Sequence, residues 1–438
     1  TAVFGPLASV PLTARILFPR FTAQLRRFAA RFVQPVLDTD LTLERRQDPP
    51  SPHEHHLGFT VDEMTAFVDR LLGDIGLTSN FARIVVVLGH GSSSLNNPHE
   101  AAYHCGACGG NRGGPNARAF ARMANDPRVR QRLEAKGIRV PQQTYFVGAF
   151  HNTCDDSIVF EDLDQLPESH RADFERVQET LDQAREINAH ERARRFELAS
   201  LDLTPTSALH HVEARAEDLA QTRPEYNHAT NAMCVVGRRT RTRGLYLDRR
   251  SFLVSYDPTQ DDDEASILMR ILSAVGPVCA GINLEYYFSC VDSAGWGCGT
   301  KLPHNVTSLL GVMDGAASDL RPGLSQQMTE IHEPVRILFV IETKPEKMMR
   351  ILDKNPTLSR LFGNEWVLAA TLDPDSTDIH FFRDGRFEPH VPESSEIPEV
   401  DSSMDWYRGW RGHLGFATIR RGLPRNTVIA ANSPETHT

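Results

Sequence analysis

The stretch from Val85 to Gly110, VVVLGHGSSSLNNPHEAAYHCGACGG, places three histidines and two cysteines in a glycine-rich loop directly behind an apolar run. Imidazole nitrogen and cysteine thiolate are favoured zinc donors, and one of each is half of a tetrahedral shell. His90 stands where the run ends, and Cys105 follows fifteen residues later. For both to reach one ion, the loop must fold back on itself. Glycines at 106, 109, 110, 113 and 114 permit this, since they allow close backbone approach and positive φ. His90 and Cys105 are therefore the candidate metal ligands and Zn2+ the expected cofactor. No catalytic side chain and no organic-cofactor site is assigned.

Other chemistry in the same stretch is weaker. Cys105-Gly-Ala-Cys108 has the spacing of a redox pair or of half a zinc knuckle, but no second CxxC or HxxxH completes a knuckle. Cys108 reads more simply as a small buried thiol in a turn, and His99 and His104 as satisfied or solvated histidines. GHGSSS has the glycines and hydroxyls of a phosphate loop without its lysine or its spacing, and the serines lack the GxSxG elbow of a hydrolase. In FHNTCDD, residues 150–156, His151, Cys154, Asp155 and Asp156 lie at another strand end. They could line the same crevice, or Asn152 and Asp155 could only cap a turn and a helix. Cys290-Val-Asp292 has Cys-x-Asp spacing but reads as a helix end. In the linker-like QDPPSPHEHH, residues 47–56, the histidines at 53, 55 and 56 read as a solvated loop.

The elements that must position these residues are legible from periodicity. A helix is expected over about 61–76. ARIVVVLGH, a β-branched run, reads as a strand of a parallel sheet covered on both faces. Two short helices broken near Asn125-Asp126-Pro127 follow, then the strand QTYFVGAFH. Strand, helix, strand implies a crossover, with His90 at the carboxyl end where open α/β sheets bind ligands. Residues 168–222 read as long helices with a solvated charged face. SFLVSYDP and VRILFVIE read as further strands, and Asp261 to Glu264 as a cap for the helix that follows. EWVLAATLDP and DIHFFRDGRFEPHV read as strands of a closing hairpin. Near the N-terminus, Phe21, Leu25, Phe28 and Phe32 fall at helical spacing beside arginines. The plain expectation is a helix docking its apolar face on the core, and the sharper one a basic amphipathic contact to a membrane surface or a subunit. Prolines at 6, 11, 19 and 35 argue against an amphipathic targeting helix.

The chain has 438 residues, enough for two or three domains, with 40% hydrophobic and 24% charged residues. A net charge of -10 argues against general nucleic-acid binding. No uninterrupted apolar run approaches the roughly 20 residues of a membrane span, so membrane association is expected to be peripheral or through a partner. Seven cysteines are too few for a disulfide scaffold and suit a reducing compartment.

GHGSSSLNNPHEAAYHCGACGGNRGGPNARAFA, with HNT after the next strand, resembles the DabA family of inorganic carbon transporter subunits. So do residues 282–328, INLEYYFSCVDSAGWGCGTKLPHNVTSLLGVMDGAASDLRPGLSQQM, and the HEP at 332–334. The resemblance implies a β-carbonic-anhydrase-like α/β fold, an open, mostly parallel sheet flanked by helices with additional α+β segments. It implies one zinc held by Cys, Asp, His and Cys. The family's His and second Cys carry over onto His90 and Cys105. Its first Cys and its Asp belong to a Cys-x-Asp-x-Arg segment that does not precede His90 here, so the chain resembles the C-terminal portion of such a protein. Cys290 and Asp292 are the weak substitute, since Ala294 stands where the arginine would be.

The implied function is zinc-dependent CO2 hydration to bicarbonate. It would be coupled to a membrane subunit resembling a cation antiporter (DabB-like), with peripheral placement on the cytoplasmic side of the inner membrane. The rivals are a non-catalytic partner-binding subunit with a structural zinc or none, and a redox protein using Cys105 and Cys108. The expected divisions are an N-terminal helical segment and linker at 1–56 and half of the zinc core at 57–165. A helical insertion at 166–230, a second part of the α/β core at 231–345 and an α+β segment at 346–438 follow.

Overall fold

The computed structural model describes residues 4–33, 39–46, 48–51, 57–93, 104–105, 108–218, 228, 230–297, 323–393 and 396–420. It is an α/β fold in which most strand pairs of the two larger sheets are parallel. Helix α1 spans Phe4–Leu17, α2 Pro19–Val33 and α3 Val61–Asp74. A capping box starts α3: the Thr60 hydroxyl accepts from the Glu63 N–H at 3.2 Å, and the Glu63 carboxylate accepts from the Thr60 N–H at 2.8 Å. Strand β1 (Ile84–Gly91) leads through α4 (Gly114–Asn125) and α5 (Pro127–Ala135) to β2 (Tyr145–Asn152). Asp126 separates the two helices as expected. It ends α4 and caps α5, accepting from the Arg128 N–H at 2.8 Å, with Pro127 at the first helical position.

β1 and β2 are parallel, with Ile84 opposite Tyr145 and Gly91 opposite Asn152; β3 (Ser157–Phe160) closes the other side of β2 antiparallel. Met64, Val68 and Leu72 of α3 pack with Ala121, Ala124, Val129, Leu133 and Phe146 in one buried cluster. Each fully buried Val or Leu there stabilises the fold by about 1.5–3 kcal/mol. Two backbone bonds fix how β1 is used. The Tyr145 N–H donates to the Arg83 carbonyl and the Thr153 N–H to the Gly91 carbonyl, both at 2.8 Å. Backbone groups alternate in direction along a strand, so odd-numbered residues of β1 face β2 and even-numbered ones face the opposite edge. Among the described residues no strand pairs with that edge.

A larger sheet has the order β10-β9-β8-β7-β4-β6. Its parallel members are β4 (Met233–Gly237), β6 (Ser251–Ser255), β7 (Leu338–Glu342) and β8 (Leu368–Leu372). β9 (Ile379–Arg383) and β10 (Arg386–His390) form the closing hairpin. Between β4 and β6 lies the short β5 (Leu245–Tyr246), which joins β11 (Glu399–Val400) and β12 (Ala417–Ile419) in a third sheet, beside α12 (Ser403–Tyr407). The long helix α8 (Ser266–Val291) covers the large sheet with Leu268, Leu272, Cys279 and Ala280. After α8 come a single turn, α9 (Gln326–Thr329), and then α10 (Pro345–Lys354) and α11 (Pro356–Gly363). The acids before α8 are caps: Asp261 accepts from the N–H groups of Ile267 and Leu268, and Asp262 from that of Ser266.

α8 is long and apolar enough, by length and composition, to cross a membrane, with Arg270 and Glu285 interrupting its apolar run and one face packed on the large sheet. Pro11 lies inside α1 and Pro6 in its first turn. Two expectations need correction. The charged stretch containing α6 (Arg171–Ala193) is not simply a solvated face, because His190, Arg192 and Arg194 at and just beyond its end are buried. Finally, α2 does not dock its apolar face. Its arginines pair with Glu213 and Glu217 of α7 (Pro205–Glu217), and its phenylalanines point outward.

Candidate metal centre

His90 sits at the carboxyl end of β1, in register with His151 on β2. The residues on either side of it are glycines because space is short at both: α4 begins against Gly89, and the Phe150 ring lies against Gly91. A Cβ on Gly89 would lie 2.1 Å from the Gly113 carbonyl oxygen, and one on Gly91 2.9 Å from the Phe150 ring. This close approach lets the Gly113 N–H donate to the His90 carbonyl at 2.8 Å.

The loop does fold back. The ring nitrogen Nδ1 of His104 accepts from the Ser92 N–H at 3.1 Å. Cys105, next in the chain, donates its N–H to the Asn111 carbonyl at 3.0 Å. The Cys105 carbonyl accepts from the N–H groups of Cys108 (3.0 Å) and Gly110 (3.2 Å). Gly109 and Gly110 have φ of 67° and 77°, conformations that other residues adopt only with strain. Asn116 Nδ2 donates to Cys108 Sγ at 3.2 Å, and the Cys105 thiol lies beside it. Burial and the Cys105 thiol beside it push the Cys108 thiol pKa up, which favours an inert thiol at that position. Burial, and then the neighbouring imidazole of His151, push the His90 pKa down, so it is held neutral and able to donate a lone pair.

The donor types suit zinc, but their number does not complete a shell. Among the described residues no group of three His, Cys, Asp or Glu side chains is arranged to hold an ion. His99 and the linker histidines at 53, 55 and 56 lie outside the described residues. Cys290 and Asp292 end α8 on the other core, and the Asp292 carboxylate accepts from the Gly295 N–H at 2.9 Å. This is the helix-end arrangement expected from the sequence.

His151 belongs to a second constellation that local sequence could not show. Its Nε2 lies 2.9 Å from Asp156 Oδ1, and Asp156 Oδ2 accepts from Arg192 Nη2 at 2.5 Å and Asn188 Nδ2 at 2.6 Å. The Arg192 side chain is 0% exposed. Burial alone would raise the Asp156 pKa; the Arg192 guanidinium and His151 reverse this and hold it well below the usual carboxylate range. Asn152 Oδ1 accepts from the Ser93 N–H at 3.0 Å and its amide donates to Ser93 Oγ at 2.6 Å, tying the end of β2 to the start of the loop. Asp155 accepts from the Ser157 N–H and hydroxyl within its own turn. The one available signal was FHNTCDD at the end of a strand adjacent to β1; its partner Arg192 lies 36 residues beyond Asp156.

Comparison with known proteins decides the family. The sequence model described as "Probable inorganic carbon transporter subunit DabA" matches residues 1–367. The chain belongs to the DabA family. It is 58% identical to a probable DabA 2 of Rhodopirellula baltica over 99% of the chain and 40% of that protein. It is 52% identical to a probable DabA 2 of Sorangium cellulosum over 99% of the chain and 42% of that protein, and 47% identical to a Parafrankia DabA over 100% and 42%. The chain thus spans about two fifths of the length of these DabA proteins. No solved structure matches it.

Proposed function

We propose that this chain is part of a DabA-type subunit of an inorganic carbon uptake complex, in which His90 and Cys105 supply two of four ligands to one zinc. The two remaining donors, a Cys and an Asp, would come from outside residues 1–438, and the site would hydrate CO2 to bicarbonate. The observation that carries this reading is the return of the loop: the N–H of Ser92, two residues beyond His90 at the carboxyl end of β1, donates to the ring of His104, the residue before Cys105. When bound, zinc would supply a water whose pKa is lowered toward about 7. The chain's own part is to hold a neutral imidazole and a thiol at the mouth of a parallel sheet. The family name supports a transporter role and the word "subunit" supports a partner; a membrane protein resembling a cation antiporter (DabB-like) is proposed for that partner, with the chain peripheral on the cytoplasmic side of the inner membrane.

The test is zinc content and CO2 hydration of the intact complex, with His90→Ala and Cys105→Ala. The reading expects stoichiometric zinc and turnover, both lost in either variant, and an isolated 438-residue chain that binds zinc poorly and is inactive. A second reading is favoured by the absence of a three-donor group among the described residues. It is a non-catalytic partner-binding subunit with a structural zinc or none. Zinc without turnover, or no zinc in an intact complex that still assembles, would establish it instead.

A further inference from the structure

Helix α2 is mounted with its polarity reversed. Phe21, Leu25, Phe28 and Phe32 recur at intervals of three and four, which is one stripe of a helix, and they are 56–74% exposed. Phe18, just before the helix, continues the stripe, and Val10 and Leu17 of α1 add exposed apolar surface beside it. The opposite side is fastened to α7. Arg20 pairs with Glu213 at 3.2 Å, Arg26 with Glu217 at 3.1 Å, and Arg27 with Glu217 at 3.7 Å. Rolling the stripe inward would break all three pairs and bury the charges that make them.

We propose that this stripe is the surface by which the chain lies on an anionic lipid bilayer, with α2 in the plane of the interface. The argument is charge complementarity. α1 and α2 contain five arginines and no Asp, Glu or Lys. Glu213 and Glu217 of α7 pair with three of them, so arginines still outnumber acids at this end, whereas the rest of the chain is net acidic. An anionic surface therefore attracts this end, and so orients the molecule. The paired guanidiniums of α2 keep 37–55% of their surface in solvent, enough for each to meet a lipid phosphate without releasing its glutamate. The stripe is purely hydrocarbon, so it has no hydrogen-bonding group to set a register against a protein, and it suits a fluid, non-directional partner. Fifteen residues make α2 about 22 Å long, short of the ~30 Å hydrocarbon layer, so it lies on the membrane and does not cross it.

This deepens the proposed function by naming the face that meets the membrane. Its test reads neither zinc nor transport, so either can fail without the other. The purified 438-residue chain is sedimented with phosphatidylcholine vesicles with and without phosphatidylglycerol. Binding is expected only with phosphatidylglycerol, weakened by salt, and reduced at least about tenfold by Phe21→Glu with Phe28→Glu. The circular dichroism of that double variant should match the wild type. A Phe28→Trp variant should show quenching by brominated lipids beyond that of the chain's own four tryptophans, which decides the matter if the double variant misfolds. Failure of the wild type to bind, equal binding by the double variant, or no added quenching in Phe28→Trp would overturn the proposal. So would a wild-type dimer that the double variant dissolves without any vesicle binding, since a second copy would then cover the stripe.

Discussion

The two larger sheets end their parallel strands in opposite ways. At the end of β1 stand His90, a glycine on each side, and a loop carrying His104, Cys105 and Cys108. At the corresponding ends of β4 and β7 stand Arg238 and Glu342, and there the chemistry is closed. Glu342 accepts from the Arg238 N–H at 2.7 Å, from its guanidinium, and from Arg241 Nε at 2.6 Å. Burial would raise the Glu342 pKa, but the two guanidiniums bring it below the usual range. One strand end thus neutralises itself, and the other gathers histidine and cysteine side chains whose nitrogen and sulfur atoms are potential lone-pair donors. The same position in an open sheet serves stability in one case and offers ligands in the other, and the side chains decide which.

That contrast can be broken by substitution. The largest effect is expected at β1: His90→Ala or Cys105→Ala in the intact complex should reduce zinc affinity by more than the roughly 10–100-fold typical of losing an outer-sphere partner, read by metal analysis. Glu342→Gln should leave zinc content unchanged. It should instead destabilise the fold by about 3–5 kcal/mol in urea titrations, because two partly buried guanidiniums lose their counter-charge. If Glu342→Gln removed zinc, or His90→Ala unfolded the chain, the division of labour would be wrong.

Leu133→Ala tests whether the small sheet has a core of its own. It should cost about 2–5 kcal/mol, and an effect near zero would mean that the cluster around α3 contributes little.

Acid sharpens the comparison further. Asp156 and Glu342 both have folded pKa values below their unfolded ones. Their stabilisation is complete above the unfolded values near 4 and is lost as pH falls through the folded ones. Stability should therefore drop from about pH 4 downward, and Asp156→Asn should flatten that slope while leaving the Glu342 part of it. The smallest effect expected is about 1 kcal/mol for Thr60→Ala, from loss of the cap on α3.

Much of this was legible in the chain itself. The β-branched run of β1, the Asp126-Pro127 break and the acids before α8 each announce their element by local chemistry. His90 and the returning loop were legible for the same reason, since glycines and donors lie within one short stretch. What was not legible depends on distant partners. Nothing near Phe21 or Phe28 reveals that Glu213 and Glu217, about 190 residues away, hold the arginines of α2 inward. Arg192 sits in a run of mixed charges that looks solvated until Asp156 is placed beneath it. The apolar face of α8 could equally have belonged to a sheet or a bilayer until β4 and β7 were seen against it.

The glycine contact between β1 and the start of α4 has a kinetic and entropic consequence. Drawing together the ends of a flexible segment of some twenty residues costs on the order of 3 kcal/mol, and here the Gly113 N–H has already joined those ends at the His90 carbonyl. An arriving cation would not have to gather the segment from a coil. The closure at His90 and Gly113 would therefore not weaken its binding.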